Sequence, residues 1–348
     1  MIFNLQGKNR EKIIPLIKNT RHELSVECVI YNTSPGEVYA DDENKPNSCF
    51  IKAPECNVFA GNPDNRGFNE EIKKNIDYWD QITCDTNDWE KVVFNLHPNI
   101  ALRKYKRKYY DLSSTIEKCQ FAGDTDIEFI YPDMLQRIKY ENNELVTEWN
   151  NIVDAGKYSN LCLAALKIQG NMIVACSAVD CFSDNKIEIG INTLKDYRNK
   201  GYGSFLSMAL VNESIKNGIL KIGWHCVSTN VGSQKIAEKC GFKNILDYDS
   251  FTPYPPIENK TDLTKSQWEE YARFFQEKGK LDINQYWQAA RCWAYAEDLK
   301  RSLACVNKLA EQNIYWFLDY ISTNEEFGFF RNEPDWIKAI EGFKSENS

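Results

Sequence analysis

The chain has 348 residues, of which 43% are hydrophobic, and a formal net charge of −8. This length allows two or three domains with sizeable cores, whereas the acidic balance argues against a nucleic-acid coat, which needs a basic surface. No run of about 18 apolar residues occurs, so we expect no membrane-spanning helix. The first residues also lack the apolar stretch of a secretion signal.

The twelve cysteines are scattered without a C-x-x-C pair, and the only histidines are His22, His97 and His225. A zinc site would therefore lack its usual ligand spacing. Disulfide frameworks are typical of small secreted domains. We expect a cytoplasmic protein with no metal and with reduced, mostly buried thiols.

The first 118 residues show the least regular pattern of apolar and polar residues in the chain. Helices are predicted over Glu11–Ile17 and over Glu70–Trp79, where apolar residues recur at helical spacing. Residues 32–66 are rich in Pro, Gly, Asn and Asp, which is typical of loops between short strands. The segments Lys91–Leu96 and Ile100–Leu112 are predicted to be extended.

The second of these segments contains a basic run, from Arg103 to Tyr110, in which tyrosines alternate with lysines and arginines. Such a run is able to grip RNA or phosphate. The alternative is a strand with its charged residues in water. One basic run in an acidic chain favours the strand, and we predict no nucleic-acid partner.

Residues 119–252 show a regular alternation of strands and helices. Glycines at 218 and 241 close the two later helices, and a tight turn at residues 169–171 predicts a hairpin. In chain order the predicted elements are a helix Asp133–Asn150, strands Leu161–Ile168, Met172–Val179 and Lys186–Leu194, a helix Ser204–Asn217, a strand Ile219–Val227 and a helix Val231–Cys240.

A proline-rich linker at residues 252–256 ends this region. Beyond it the pattern is helical, over Lys265–Lys278, Ile283–Ala296, Leu299–Gln312 and a tail that includes Trp336. The stretches 287–296 and 302–309 resemble a single tetratricopeptide-like hairpin. Independent solenoids need three or more repeats, so the hairpin either docks on the rest of the chain, binds a protein partner, or is a plain helical appendage.

The segment Lys195–Gly203 joins a predicted strand to a predicted helix and has the character of a phosphate cradle. Glycines let the backbone approach an anion closely, and the helix that follows presents free N–H groups and a positive dipole end. Lys195, Arg198 and Lys200 add positive charge. The order of residues matches neither the nucleotide P-loop nor the dinucleotide motif. An ordinary tight turn is the alternative.

Two motifs together resemble the Gcn5-related (GNAT) acetyltransferase superfamily, in a bacterial branch with extra flanking domains. Arg198, Gly201 and Gly203 match its R-x-x-G-x-G loop. The segment Asn230–Phe242 matches its N-x-x-S-x-x-x-x-x-K-x-G-F segment. Two motifs in the right order, about 30 residues apart, are far more specific than either motif alone.

The resemblance implies an α/β fold with a mixed, mostly antiparallel sheet and helices on both faces, followed by an all-helical unit. We expect an N-terminal α/β region, related to a GNAT half but degenerate, at residues 1–118, the acetyltransferase core at residues 119–252 and the helical unit at residues 253–348. The implied activity is transfer of an acetyl group from acetyl-CoA to an unidentified amine by direct attack in a ternary complex. The alternative is an inactive CoA-binding module that recruits a protein.

The resemblance also implies which residues bind acetyl-CoA. The exposed backbone groups of Ile191 and Thr193 would pair with the pantetheine arm, although ordinary ladder pairing is the alternative for both. The loop and the following helix start would hold the pyrophosphate, and Asn230 would border the thiol. The pyrophosphate residues are Arg198, Asn199, Lys200, Gly201, Tyr202, Gly203 and Ser204.

Three residues are candidates for the chemistry. Glu188 lies on the strand before the loop, where this superfamily often places its base, and the alternative is a solvent-facing carboxylate. The tyrosine that many relatives use to protonate the thiolate is replaced by Ala237. Asn230 and Ser233 are then expected to help the leaving thiolate, or to serve only as a helix cap.

His225 and Cys226 precede the second motif. An imidazole titrates near neutrality, so His225 invites a role as base, but a packed or hydrogen-bonded histidine is the commoner situation. Cys226 is expected to be a buried core thiol rather than a nucleophile.

Overall fold

The structure is a computed structural model that describes residues 1–17, 23–113, 126–135, 154–257 and 259–347, together with residues 140, 142 and 152. The chain forms two compact units. The first comprises Met1–Pro98 and Lys104–Thr252, and the second comprises Asn99–Arg103 and Pro253–Ser348.

The first unit is built on one sheet of twelve strands among the described residues. The strands lie in the order β1-β2-β3-β4-β5-β12-β6-β11-β10-β9-β8-β7. Their bounds are β1 Phe3–Asn4, β2 Glu37–Ala40, β3 Ser48–Lys52, β4 Asn57–Gly61, β5 Ile82–Cys84, β6 Arg103–Ser113, β7 Glu128–Ile130, β8 Ala164–Gln169, β9 Met172–Ser183, β10 Lys186–Thr193, β11 Lys221–Val227 and β12 Lys243–Thr252.

The sheet is mixed and mostly antiparallel, which confirms the predicted fold class. β4 pairs with β5 in parallel, as β10 does with β11, whereas neighbours such as β8 and β9 or β6 and β11 are antiparallel. The strand β12 lies between β5 and β6. The N-terminal strands are therefore part of the same sheet as the strands of residues 164–252.

In the described part of this unit there are five α-helices: α1 Glu23–Ile30, α2 Arg66–Ile72, α3 Asn87–Leu96, α4 Tyr202–Lys216 and α5 Val231–Lys239. In the main core, Leu206 and Leu210 of α4 pack with Ile187 and Ile189 of β10. Glu188, between those two isoleucines, points to the other face, because side chains alternate along a strand. There it lines a cavity together with Leu24 of α1. Helices thus cover both faces of the sheet.

Two predictions for the N-terminal region are corrected. Lys91–Leu96 is not extended but is part of α3, whose buried residues Trp89, Val93 and Leu96 recur at helical spacing. Thr86 caps this helix through its hydroxyl. The helix predicted over Glu70–Trp79 begins earlier, because Asn65 accepts the backbone N–H of Phe68 at 3.1 Å, and α2 ends at Ile72, before a short 3-10 turn.

The basic run is a strand, as the favoured interpretation predicted, and forms most of β6. Its charged residues are not simply solvated, however. Arg107 is buried and its guanidinium forms an ion pair with Glu55. Lys104 and Lys106 lie 2.8 and 2.6 Å from the carboxylate of Asp249.

The second unit is all-helical in its described residues, as predicted. Its α-helices are α6 Lys265–Gly279, α7 Gln285–Tyr295, α8 Leu299–Ala310, α9 Leu318–Ile321 and α10 Pro334–Glu346. Thr264 and Gln267 form a reciprocal capping box at the start of α6. Ser302 of α8 donates its hydroxyl to the carbonyl of Ala290 in α7 at 3.0 Å, which helps to join these two helices.

Two further predictions concern helices and thiols. The helix predicted over Asp133–Asn150 falls almost wholly outside the described residues, which show a 3-10 turn at Pro132–Met134. All eleven cysteines of the described residues are buried, as predicted for most of the thiols. Among the described residues, no helix is long and apolar enough to cross a membrane.

Candidate functional site

The strands β10 and β11 separate in the middle of the sheet. Their parallel pairing runs from Lys186 opposite Lys221 to Glu188 opposite Gly223, although both strands continue beyond it. The register of β10 against β9 shifts between Glu188 and Ile189. The extra residue of this bulge is Asp180 of β9, and the bulge lies level with the point where β10 and β11 part.

The loop after β10 is shaped by two residues with positive φ. Asn199 has φ 60° and Gly201 has φ 85°, a region that glycine enters without penalty. A Cβ on Gly201 would meet nothing within 4 Å, so backbone conformation rather than crowding requires glycine there. Arg198 donates from Nε to the carbonyl of Thr193 at 3.1 Å, which ties the loop to the end of β10.

The loop ends at the N-terminus of α4, with Gly201 as the cap residue. The first N–H groups of a helix have no partner within it and favour an anion. Gly203 lies close to α5, since a Cβ there would come within 2.8 Å of the Ile236 side chain. The N-termini of α4 and α5 are therefore close together.

A cavity of about 550 Å³ lies at these two helix starts. All the predicted acetyl-CoA residues except Lys200 line it, so the structure brings together residues far apart in the sequence. The predicted residues that line it are Ile191, Thr193, Arg198, Asn199, Gly201, Tyr202, Gly203, Ser204, Asn230 and Ser233. Lys200 instead lies with its ammonium over the ring of Tyr197, 4.7 Å from its centroid.

Asn230 and Ser233 occupy the first turn of α5. The Asn230 side chain caps the helix by accepting the N–H of Ser233 at 3.0 Å, as the alternative interpretation expected. Ser233 is buried and its hydroxyl accepts the indole N–H of Trp224 at 3.0 Å. That bond uses a lone pair and leaves the hydroxyl proton available for donation. Ala237 is fully buried, and Tyr202 is a tyrosine that does line the cavity.

Glu188 is buried, with 4% of its surface exposed, so the interpretation as a solvent-facing carboxylate is wrong. Its Oε1 lies 3.3 Å from Nε2 of His225, and its Oε2 accepts the thiol of Cys181 at 3.4 Å. Burial acts to raise the pKa of Glu188, but His225, Cys181 and Arg107 outweigh it and lower that pKa overall. The group is therefore a carboxylate at neutral pH.

His225 is held on three sides. Its Nδ1 lies 2.8 Å from the hydroxyl of Tyr248, Nε2 faces Glu188, and Tyr109 stacks on the ring with centroids 4.6 Å apart. Burial raises the pKa of Tyr248 well above its usual value, so the phenol stays protonated and can donate to Nδ1. The carboxylate of Glu188, the imidazole of His225 and the phenol of Tyr248 therefore lie next to one another in the interior.

Glu188 and His225 border a second cavity, of about 260 Å³. Glu188, Gly223 and His225 line it from β10 and β11, Leu24 and Glu27 from α1, and Ile245 and Leu246 from β12. The two cavities lie to either side of the point where β10 and β11 part. Glu188 precedes Ile191 by three residues, which is about 10 Å along an extended strand.

A family model for GNAT acetyltransferases matches residues 14–251, well over half of the chain. The chain belongs to the GNAT acetyltransferase family. The match begins at residue 14, so the family resemblance includes the N-terminal strands β2–β5, whereas the two sequence motifs had concerned residues 198–242 alone.

Individual GNAT relatives are distant. The chain is 25% identical over 247 residues to YdfB, an uncharacterized N-acetyltransferase of Bacillus subtilis, with 64% of this chain and 87% of that protein covered. A GCN5-related N-acetyltransferase-like protein from Streptococcus suis has a TM-score of 0.52 at 17% identity, over 71% of this chain and 99% of that chain. A GCN5-related N-acetyltransferase from Sphaerobacter thermophilus has a TM-score of 0.48 at 11% identity, over 73% and 96% respectively.

Several residues around the smaller cavity were absent from the sequence-based prediction. Tyr109 lies within the basic run, and neither Tyr248 nor Glu27 belongs to a motif that the sequence analysis identified. Each reaches the site through pairing or packing of strands and helices that are distant in sequence. Within the described ranges, no group of three or more His, Cys, Asp or Glu residues is placed to hold a metal ion.

Proposed function

We propose that this chain is an acetyl-CoA-dependent N-acetyltransferase that transfers the acetyl group directly to an amine. The observation that carries the proposal is the course of β10. Its first half holds a buried carboxylate beside one cavity, and its second half lines another cavity that ends at the N-terminus of α4. Acyl donor and amine acceptor would thus meet where β10 and β11 separate.

The larger cavity is proposed to bind acetyl-CoA. The backbone N–H groups of residues 199–204 would hold the pyrophosphate, with help from the charge of Arg198 and Lys200. Beyond Glu188, β10 has no paired neighbour in β11. Backbone groups of Ile191 and Thr193 on that side could therefore pair with the amides of the pantetheine arm, which would lead the thioester toward Glu188.

The proposed reaction breaks a C–S and an N–H bond and forms a C–N and an S–H bond. The amine nitrogen attacks the thioester carbonyl carbon, a C–N bond forms, and the C–S bond breaks to release the CoA thiolate. The nitrogen then still carries one proton more than the amide product, and that proton passes to the departing sulfur, so that CoA is released as the free thiol. The amine must first lose a proton, because an ammonium has no lone pair. That proton would pass to Glu188, which is ionised at neutral pH because its pKa is lowered.

His225 and Tyr248 are proposed to position the base. With Nδ1 accepting from the phenol, Nε2 carries the imidazole hydrogen and lies 3.3 Å from Oε1 of Glu188. This arrangement fixes the carboxylate against the strand and leaves Glu188, rather than the imidazole, to receive the proton. His225 would then be a positioning residue.

The thiolate would be stabilised by donors at the start of α5. Ser233 retains its hydroxyl proton while it accepts from Trp224, and the amide nitrogen of Asn230 is a second donor. A thiolate can leave unprotonated if hydrogen bonds stabilise it. The absence of a hydroxyl at Ala237 is therefore compatible with turnover. Tyr202, which lines the same cavity, is the rival donor.

The decisive experiment measures binding and turnover separately. Calorimetry with acetyl-CoA should show saturable binding, and release of free thiol should follow addition of a primary amine. An acceptor panel of alkylamines, polyamines, aminoglycosides, amino acids and peptides would identify the amine class. Binding without thiol release from any amine would instead support a CoA-holding module, and absence of binding would refute the proposal.

A further inference from the structure

The cavity beside Glu188 has one wall that comes from the N-terminal part of the chain. Leu24 and Glu27 of α1 line it together with Glu188. Glu27 is fixed to the core strands, because its carboxylate lies 2.8 Å from the ammonium of Lys186 and 3.2 Å from the hydroxyl of Ser183. The first helix is thus anchored beside the proposed base.

The charges that line this cavity nearly balance. Three carboxylates, Glu27, Asp111 and Glu188, face two ammonium groups, Lys186 and Lys221. These five side chains together carry one net negative charge. One ammonium on a ligand would cancel it, whereas a second ammonium would meet the lysines without a compensating carboxylate.

The rest of the cavity is apolar and partly open to water. Ile245 and Leu246 of β12 are 60% and 38% exposed, although both line the cavity. Leu24 adds a third aliphatic side chain. A ligand with an apolar body would remove these surfaces from water, which is favourable.

The volume limits the size of the ligand. At about 260 Å³, the cavity is slightly smaller than the sites of about 300–1,000 Å³ that hold drug-sized molecules. It suits a compact molecule with a few carbon atoms more readily than an aminoglycoside.

We propose that this cavity binds the acetyl acceptor, and that the acceptor is a compact primary amine with one positive charge and an apolar body. This inference rests on the proposed acetyltransferase function. The ammonium lies beside Glu188 and the apolar body packs against Leu24, Ile245 and Leu246. The N-terminal α1 and the strand β12 then determine acceptor specificity.

The first test compares pentylamine with cadaverine, which share a five-carbon chain and differ by a second ammonium. Thiol release with saturating acetyl-CoA gives kcat/KM for each amine. We expect pentylamine to be preferred by about tenfold or more, the scale on which a pocket discriminates between closely related ligands. Equal rates, or a preference for cadaverine or spermidine, would overturn the inference.

The second test uses a charged substitution in the apolar wall. Leu246→Asp should lower kcat/KM for pentylamine by about tenfold and shift the preference toward cadaverine, because the new carboxylate suits a second ammonium. The matched control is Leu220→Asp, since Leu220 is 52% exposed in the same unit and does not line the cavity. The Leu220→Asp variant should keep the wild-type kcat/KM for both amines.

These outcomes distinguish a wrong acceptor class from a wrong acetyltransferase proposal. If acetyl-CoA binds and polyamines are the faster acceptors, or if Leu246→Asp behaves as Leu220→Asp does, the acceptor class is wrong and the acetyltransferase proposal stands. If acetyl-CoA binds but neither amine releases thiol, the acceptor class is also wrong. If acetyl-CoA does not bind, both proposals fail together.

Discussion

The two cavities of the first unit are built in different ways. The larger one is formed mainly by backbone at two helix starts, and its loop is exposed to solvent. The smaller one is formed by side chains from α1, β6, β10, β11 and β12, of which Glu188 is buried. A site formed by backbone groups tolerates changes of side chain except at positions that fix the backbone conformation. A site formed by side chains depends on each of those side chains. Substitutions should therefore affect the two cavities differently.

The largest effect is expected for Gly201→Asp, which should abolish acetyl-CoA binding. A carboxylate about 4 Å from a phosphate is repelled by about 4 kcal/mol at an effective dielectric of 20, which corresponds to roughly a thousandfold loss of affinity. Calorimetry with acetyl-CoA measures this loss of affinity. Gly218→Asp is the control, because Gly218 also has positive φ, 94°, and stands at the other end of α4. Equal binding by the two variants would remove the loop from the site.

Glu188→Gln should lower turnover by roughly 10²–10⁴-fold at neutral pH while acetyl-CoA affinity stays unchanged. The defect should shrink as pH rises, because more of the amine is then already deprotonated. Since the pKa of Glu188 is lowered, its own protonation should slow the wild-type enzyme only at pH values below the ordinary pKa of a glutamate. A variant with wild-type turnover would exclude Glu188 as the base.

Ser233→Ala should lower turnover about a hundredfold, the usual cost of losing one donor to a developing anion. It also leaves the buried indole N–H of Trp224 without its acceptor, which costs about 1–3 kcal/mol of stability. Trp224→Phe in the same background separates the two effects. The double variant no longer buries an unpaired N–H, although the smaller ring leaves a cavity. Its rate should stay low whatever its stability, as thiol release and thermal unfolding would show. Normal turnover in Ser233→Ala, with an inactive Tyr202→Phe, would transfer the role to Tyr202.

The smallest effect is expected for Tyr248→Phe, which removes the hydroxyl that lies 2.8 Å from Nδ1 of His225. Turnover should fall by about tenfold or less, because losing one hydrogen bond changes a free energy by about 1 kcal/mol, and the pH profile should change shape. Tyr105→Phe is the control, since its hydroxyl donates to Gln81 at 3.0 Å. An unchanged pH profile in Tyr248→Phe would show that the phenol is only structural.

The contrast between the cavities also explains which parts could be predicted from the sequence. The loop at residues 195–204 and the segment at residues 230–242 are continuous, and their glycines and cap residue act on the backbone nearby. The alternation around Glu188 in β10 identified the carboxylate. Its partners could not be found in this way, because Tyr109 and Tyr248 reach His225 through β6 and β12, which are far from β10 in the sequence.

The errors of the N-terminal prediction have a related cause. The segment of α3 was assigned from Lys91 onward, and without Trp89 its helical spacing was lost. The strand β12 was not predicted, since its first five residues are exposed and its sequence lacks a regular apolar alternation. Its conformation is imposed by two neighbours, β5 and β6, that only the folded sheet supplies.

The position of β12 has a consequence for how the protein is made. A ribosome releases β5 and β6 long before residues 243–252, yet β12 lies between them. Until that strand emerges, both neighbours expose unpaired edges, which are templates for aggregation. The sheet also depends on contacts between residues that are far apart in the sequence, such as Phe251 and Ile82. Such contacts slow folding. Synthesis of the first unit is therefore expected to yield its native sheet only at the end, and nascent chains of this protein should be clients of chaperones that shield strand edges.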